Sequence, residues 1–283
     1  MSDDDPGPTA HEAGAESSER NHFTLSPLDW LAGCSDIGQR HHINQDALAL
    51  AGRQTDQGQV AVMVVSDGVS TSLGSELSAA VAAEVACATL VAMLRGAPGA
   101  SAEQVQAGIE DAVAAANDAV MTTPGPGPEP GSCTLVAAVL HGGRITVGNT
   151  GDCRAYWVGD DQQASVLSVD DSVAQARIDL GMSREEAESG YQAHAITRWL
   201  GPNSTDPSPR QVSMEVTEPG WLVVCSDGLW NYCSPAEQLA ELVNEAAGQS
   251  SQDPRATAEL LVDWANEQGG RDNITVALCR ITG

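Results

Sequence analysis

Basic and aromatic residues are scarce in this chain of 283 residues. Lysine and arginine together number 13 against 39 aspartates and glutamates, which gives a formal net charge of −26, and aromatic residues make up 4% of the sequence. A protein of this charge repels phosphate backbones and anionic lipid surfaces, so we expect neither nucleic acid nor a membrane as a partner. Cations are the ligands that such a charge favours.

The sequence also lacks a C-x-x-C pair, a leader with a basic start and an apolar stretch, and an apolar run of the roughly 18 residues that span a bilayer. Its seven cysteines are odd in number and lie mostly inside apolar segments. This pattern favours reduced, buried thiols and argues against a zinc site. Together these features predict a cytoplasmic protein.

Regular structure is expected from about residue 26 onward. Residues 1–25 are acid-rich and without hydrophobic periodicity, which predicts a disordered acidic tail before one domain at 26–283. Short β-branched segments predict strands at 60–66, 133–140, 144–150, 154–159, 165–169, 221–226 and 274–281. Apolar spacing and helix-start signals predict helices at 74–94, 101–120, 235–246 and 254–267.

The connections between these segments indicate the fold class. The turns at 141–143 and 159–161 are too short for a crossover helix, so the strands on either side of each are expected to pair antiparallel. A strand block, a helix pair, a second strand block and a second helix pair then follow one another. This order predicts an α+β layered sandwich rather than a doubly wound parallel sheet.

Aspartates recur at points where an apolar segment meets a turn. A single Asp-Gly after a strand is typical of a simple turn, but several at strand ends give carboxylates a rigid support beside water. If they converge, their repulsion requires a cation, and ligands that are all oxygen favour Mg²⁺ or Mn²⁺ over Zn²⁺. The residues concerned are Asp46, Asp67, Asp152, Asp227 and Asp272.

Six segments, taken in order, resemble the motifs of the PPM/PP2C family of metal-dependent serine/threonine phosphatases. Each motif alone is weak, but six in the family's order are specific, and the resemblance extends over about residues 32–281. The segments are SDIG…NQDA (35–47), VVSDGVS…GS (64–75), SCTLVAAVL (132–140), VGNTGDCRAYWV (147–158), LVVCSDGLW (222–230) and GGRDNITV (269–276).

The resemblance implies a four-layer α-β-β-α sandwich with two central antiparallel sheets and a metal cleft at the sheet edges. It also implies a flap at about 170–201, a mobile element beside the cleft. Within that segment Ser183 and Glu186 have the spacing of a capping box, which independently predicts a short helix.

The resemblance further implies a set of ligands for two Mn²⁺ or Mg²⁺ ions and a weaker third one. Asp67 matches the carboxylate that bridges the two ions, and the Gly68 carbonyl would complete the shell of the second. The other matched residues are Asp227 and Asp272 as ligands of the first ion, Asp46 as the holder of metal-bound water, and Asp152, which with Asp227 would form the third site.

The activity that the resemblance implies is hydrolysis of phosphoserine and phosphothreonine by a water that bridges two metal ions. The expected partner is a phosphoprotein substrate of a serine/threonine kinase, and the expected oligomeric state is a monomer. The alternative is a pseudophosphatase, or a regulatory module that binds phosphoproteins with weak or no catalysis.

The sequence departs from the family pattern at three places near the expected metals. Val69, Ser70 and Thr71 follow Gly68 where the family usually has Met-Gly-Gly, so two flexible glycines are lost, and Gln45 stands where many members have glutamate. The phosphate-binding arginine of the family falls on His41, with Arg40 one position earlier. Because side chains alternate along a strand, Arg40 is expected to point away from the cleft, so His41 is the first candidate for binding phosphate and Arg40 the second.

Overall fold

Two antiparallel sheets form the centre of the protein in the computed structural model, which describes residues 9–10 and 21–282. The strands are β1 (Thr9–Ala10), β2 (His22–Leu28), β3 (Leu31–Asp36), β4 (Asp46–Thr55), β5 (Gly58–Asp67), β6 (Leu135–His141), β7 (Arg144–Thr150), β8 (Arg154–Gly159), β9 (Ala164–Val166), β10 (Arg210–Glu215), β11 (Gly220–Cys225) and β12 (Ile274–Ile281). The first sheet has the order β1-β4-β5-β6-β7-β10, and the second has the order β2-β3-β12-β11-β8-β9.

Seven helices lie in the part of the chain that the structure describes. Two long helices connect β5 to β6, a pair of short helices lies between β9 and β10, and the last three lie between β11 and β12. They are α1 (Ser75–Gly96), α2 (Ala102–Thr122), α3 (Val173–Asp179), α4 (Arg184–Glu188), α5 (Asp227–Trp230), α6 (Ala236–Gln249) and α7 (Pro254–Glu267).

The layers are held together by three hydrophobic clusters. One lies between the first sheet and helices α1 and α2, and includes Val64, Leu90 and Ile109. A second lies between the second sheet and helices α6 and α7. The third, which includes Met63 and Leu222, fills the space between the two sheets. This arrangement confirms the predicted α+β sandwich with two central antiparallel sheets between helix layers.

The predicted hairpins are present, but five of the described strands, β1, β2, β3, β4 and β10, were not predicted. The turns at 141–143 and 159–161 join β6 to β7 and β8 to β9 in antiparallel pairs. The strands β2, β3, β4 and β10 carry alanine, glycine or polar residues at many positions, and these residues have low strand propensity. These strands form because they pair with neighbouring strands, and the local sequence pattern contains no information about that pairing.

The boundary of the predicted tail is wrong by a few residues. Strand β2 begins at His22 and pairs with β3, so residues 22–25 belong to the second sheet. Residues Thr9–Ala10 pair with β4 at Leu50 and Ala49. The remainder of the predicted disordered tail, residues 1–8 and 11–20, lies outside the described residues.

Helix α1 corrects the expectation about apolar runs. Its length and composition suffice to cross a membrane. In the fold it packs against the first sheet and α2, with Ala79, Ala86 and Leu90 among its buried residues. The seven cysteines are free and buried, as predicted.

Candidate metal centre

The five predicted aspartates lie where strand ends from both sheets meet. Asp46 begins β4 and faces Asp67, the last residue of β5, across the strand pair. Asp152 lies in the turn between β7 and β8, Asp227 begins α5 directly after β11, and Asp272 precedes β12. Two sheets therefore contribute carboxylates to one region of the surface.

Glycines allow the chain to turn tightly beside two of these aspartates. Gly151 has a φ of 105°, and a Cβ atom there would lie 2.5 Å from the Thr134 side chain. A Cβ on Gly68 would lie 2.8 Å from the carbonyl oxygen of Gln45, to which the Gly68 N–H donates a hydrogen bond. A larger residue at either position would displace the aspartate next to it.

The carboxylates affect one another's protonation. Burial is the main reason that the pKa of Asp67 is raised well above its usual range, and the charges of Asp46, Asp227, Asp152 and Asp272 raise it further. Burial also raises the pKa of Asp227, again with a contribution from neighbouring aspartates. The pKa values of Asp46 and Asp152 are raised to about 7, mainly by burial. A cation bound among these groups would offset both the cost of burying the charged carboxylates and their mutual repulsion.

The donor atoms fit a hard divalent cation. Oδ1 of Asp46 and Oδ1 of Asp227 are buried without a hydrogen-bond partner, and such atoms are costly unless a cation or water satisfies them. Within the described residues, no three His, Cys, Asp or Glu side chains are already arranged as a metal-binding group. The carboxylates thus form a cluster of oxygen donors suited to Mg²⁺ or Mn²⁺ rather than a closed cage.

A cleft of about 540 Å³ opens in front of four of these aspartates. Its walls come from the loop after β5, from the start of the segment that leads into β6, and from the chain that follows α4. The aspartates in the lining are Asp67, Asp152, Asp227 and Asp272, and the chain after α4 contributes His194, Ala195, Ile196, Trp199, Pro202 and Asn203.

Neutral polar residues that sequence reasoning missed hold the carboxylates in place. The Ser226 hydroxyl donates to Asp46 Oδ2 at 2.7 Å and accepts from the Thr275 N–H at 3.0 Å. The Asn44 side chain accepts from the Asp46 N–H at 3.1 Å. The Asn273 side chain accepts from the Gln45 N–H at 2.8 Å. In the sequence Ser226 precedes Asp227, Asn273 follows Asp272, and Asn44 precedes Gln45. This adjacency to residues already singled out was the sequence signal that could have identified them.

The Gln45 side chain does not join the carboxylates. Its amide donates to the hydroxyl of Ser75, the first residue of α1. The glutamine therefore connects the start of β4 to the start of α1. This contact explains how a neutral amide is accommodated where many family members have a charged residue.

The structure separates Arg40 and His41 from the cleft lining. Residues 37–45 form turns and loop, so the strand assumed there is absent, although Arg40 lies outside the cleft lining as expected. Arg40 is exposed, and Nε2 of His41 lies 3.2 Å from Oδ1 of Asp272. Neither residue lines the cleft in front of the aspartates. His41 thus contacts an expected metal ligand, and the structure gives Arg40 no such contact.

The segment predicted as a flap contains α3, α4 and the chain that follows them. Helix α4 begins where the capping box was predicted, with the Ser183 hydroxyl accepting from the Glu186 N–H. The buried Arg154 connects this segment to the second sheet: it binds Asp170 with two nitrogens at 2.9 and 2.7 Å and lies 3.4 Å from Glu188 of α4. Asp171 accepts from the Gly151 N–H at 3.1 Å, beside Asp152.

Comparison with known proteins identifies relatives over most of the chain. The sequence model of the protein phosphatase 2C family matches residues 37–264. The serine/threonine phosphatase stp of Listeria innocua is 30% identical over 147 residues, which are 51% of this chain and 55% of that protein. The serine/threonine protein phosphatase PstP of Mycobacterium tuberculosis is 27% identical over 254 residues, which are 88% of this chain and 44% of that protein.

A solved structure shares the fold. The catalytic domain of PstP in complex with two manganese ions superposes with a TM-score of 0.66, covering 89% of this chain and 98% of that one at 23% identity. The chain spans about half the length of the curated relatives described above. Because the family model covers well over half of the sequence, the chain belongs to the protein phosphatase 2C family.

Proposed function

We propose that this protein is a phosphatase that hydrolyses phosphoserine and phosphothreonine in proteins and depends on Mn²⁺ or Mg²⁺. The observation that carries the proposal is the convergence of five aspartates from two sheets, with two buried carboxylate oxygens that have no partner, in front of an open cleft. Family membership and the names of the relatives support the same activity.

The proposed role of each residue follows from its position in the site. Asp67, Asp227 and Asp272 would hold the ions, with Asp46 behind them and Asp152 at the edge where a third ion would bind. Ions bound there supply Lewis-acid activation of water and positive charge for the phosphoryl oxygens. Ser226 orients the Asp46 carboxylate through its hydroxyl. The net reaction consumes one water, breaks the phosphorus–oxygen bond to the side chain, and releases inorganic phosphate and the free hydroxyl.

The cleft suits a side chain presented by another protein. It is open to solvent, and the chain after α4 forms one wall with exposed groups such as His194 and Ala195. A phosphorylated residue at the end of a flexible segment can reach carboxylates placed in this way. A phosphoprotein product of a serine/threonine kinase is therefore the proposed substrate class.

An assay with a matched pair of variants tests the proposal. The purified chain should hydrolyse p-nitrophenyl phosphate and a phosphothreonine peptide with Mn²⁺ and lose this activity in EDTA. Asp67→Asn should lower kcat/KM by about 100-fold or more, because it removes an ionic ligand. Asp56→Asn, at the exposed turn between the same two strands, should leave kcat/KM unchanged.

Two results would contradict the proposal. Absence of hydrolysis with every divalent ion tried would rule out the enzyme. If the same preparation then bound the phosphopeptide without turnover, the pseudophosphatase alternative would be correct. Equal losses in Asp67→Asn and Asp56→Asn would show that the aspartate cluster has no special role.

A further inference from the structure

Among the residues that the structure describes, one side chain in the cleft lining can carry a positive charge. That residue is His194, in the chain that follows α4. The other ionisable lining residues are aspartates. Arg40 and His41, the two residues expected from sequence to hold phosphate, do not line it.

The backbone on both sides of His194 is held in place. The carbonyl of Ala193 accepts from the Ala174 N–H at 2.9 Å, and the carbonyl of Ala195 accepts from the Val173 N–H at 3.0 Å. Both donors belong to the first turn of α3. The His194 backbone is thus fixed by hydrogen bonds, while its side chain is exposed to the cleft.

The ring of His194 also has a fixed neighbour. It packs against the buried indole of Trp230, with ring centroids 6.0 Å apart. The Trp230 Nε1–H donates to the carbonyl oxygen of Asp152 at 2.9 Å, and the Arg154 guanidinium lies 3.5 Å from the indole centroid. Because Trp230 is fixed to the main chain of Asp152, the imidazole has a defined position relative to the aspartate cluster.

We propose that His194 binds the phosphoryl group of the substrate through a hydrogen bond donated by its ring. This inference rests on the proposed phosphatase function and names a residue of the same site. Imidazole has at least one N–H donor in either charge state, so the hydrogen bond does not require a protonated ring. Hydrogen bonds to charged phosphoryl oxygens are stronger than those between neutral groups. His194 thus takes the role that the sequence assigned to His41 or Arg40.

Kinetics with two substrates that share only the phosphoryl group test this role. His194→Ala should raise KM about tenfold for both p-nitrophenyl phosphate and a phosphothreonine peptide, and should raise the inhibition constant of inorganic phosphate by a similar factor. His194→Asn and His194→Gln each retain an amide donor near one of the two ring nitrogens, so one of them should restore most of the affinity. His141→Ala, at the far end of β6, should change none of these constants.

A binding measurement separates contact from a structural effect. In ¹H–¹⁵N spectra of the histidine rings with Mg²⁺ present, inorganic phosphate should shift the His194 signals saturably and leave those of His141 in place. The His194→Asn variant, which lacks these signals, assigns them.

The outcomes are distinct for the two proposals. If the wild type does not hydrolyse either substrate, the proposed function fails. If the wild type is active and His194→Ala keeps KM and the phosphate inhibition constant within about twofold, the role of His194 is refuted. A rise in KM for the peptide alone would also refute it, since His194 would then contact the peptide and not the phosphoryl group.

Discussion

Ser226 shows how one small residue can control a charged site. Its hydroxyl links Asp46 Oδ2 to the backbone of β12. Residues that orient a metal ligand commonly change metal affinity 10- to 100-fold when they are removed.

We therefore expect Ser226→Ala to raise the Mn²⁺ concentration for half-maximal phosphatase activity by about 10-fold or more, with kcat largely recovered at saturating Mn²⁺. A metal titration of the activity measures both quantities. Ser213→Ala is a matched control, because its hydroxyl contacts Thr146 and Gln106 away from the cleft. An unchanged titration for Ser226→Ala would show that the Ser226 hydroxyl is not needed to orient Asp46 for metal binding.

The residues of the site differ in how far sequence could predict them. An aspartate at the end of an apolar strand is a local feature, and the five that repeat it do lie together. The roles of Arg40 and His41 depended on counting along a strand that the structure replaces with a loop. His194 carries no local signal, because its place in the cleft results from the path of the chain after α4 and from Trp230.

At the scale of elements, the flap segment is attached to the second sheet through a buried charge. Asp170 binds the Arg154 guanidinium, and both side chains are shielded from water, with exposed fractions of 7% and 2%. Asp160 also accepts from two nitrogens of an arginine, Nη1 and Nη2 of Arg280 instead of the Nε and Nη2 that Arg154 uses, and 45% of the Asp160 side chain is exposed. Both pairs make two hydrogen bonds between an arginine and a carboxylate, one shielded from water and one exposed, so they can be compared.

We expect Asp170→Ala to lower the free energy of unfolding by about 3–5 kcal/mol, because it leaves the Arg154 charge buried with weaker partners. Asp160→Ala should cost about 1 kcal/mol or less, since water screens the exposed pair. Urea unfolding followed by tryptophan fluorescence compares the two variants. Similar losses for both would mean that burial does not determine the strength of this attachment.

Elements with a strong local pattern were predicted from sequence, and those without one were not. The α7 helix has an aspartate cap followed by proline, and its predicted bounds agree with the observed Pro254–Glu267. Strand β10 is the opposite case: RQVSME is mostly polar, yet all six residues pair with β7. Edge strands of this kind form because a neighbour offers free backbone groups, a property of the assembled sheet.

For the whole molecule, the aspartate cluster makes stability depend on pH. The pKa values of Asp46 and Asp152 are about 7 in the folded protein, while an unfolded aspartate has a pKa near 3.9. Between about pH 4 and 7 the folded state therefore binds more protons than the unfolded state. By linkage, the stability that these two groups contribute is fully present below about pH 4 and is lost as the pH rises through 7.

Without divalent ions, we expect the melting temperature to be about 5 °C or more lower at pH 8 than at pH 5.5. In a domain of this size, each kcal/mol lost from the free energy of unfolding lowers the melting temperature by about 2–4 °C. Mn²⁺ should raise the melting temperature more at pH 8 than at pH 5.5, because ionised carboxylates bind it without first releasing a proton. Calorimetry in EDTA and in Mn²⁺ measures all four values. Asp152→Asn should reduce the pH dependence in EDTA, as it removes one of the titrating groups. A metal-free protein that is more stable at pH 8 would show that the carboxylates are not buried together.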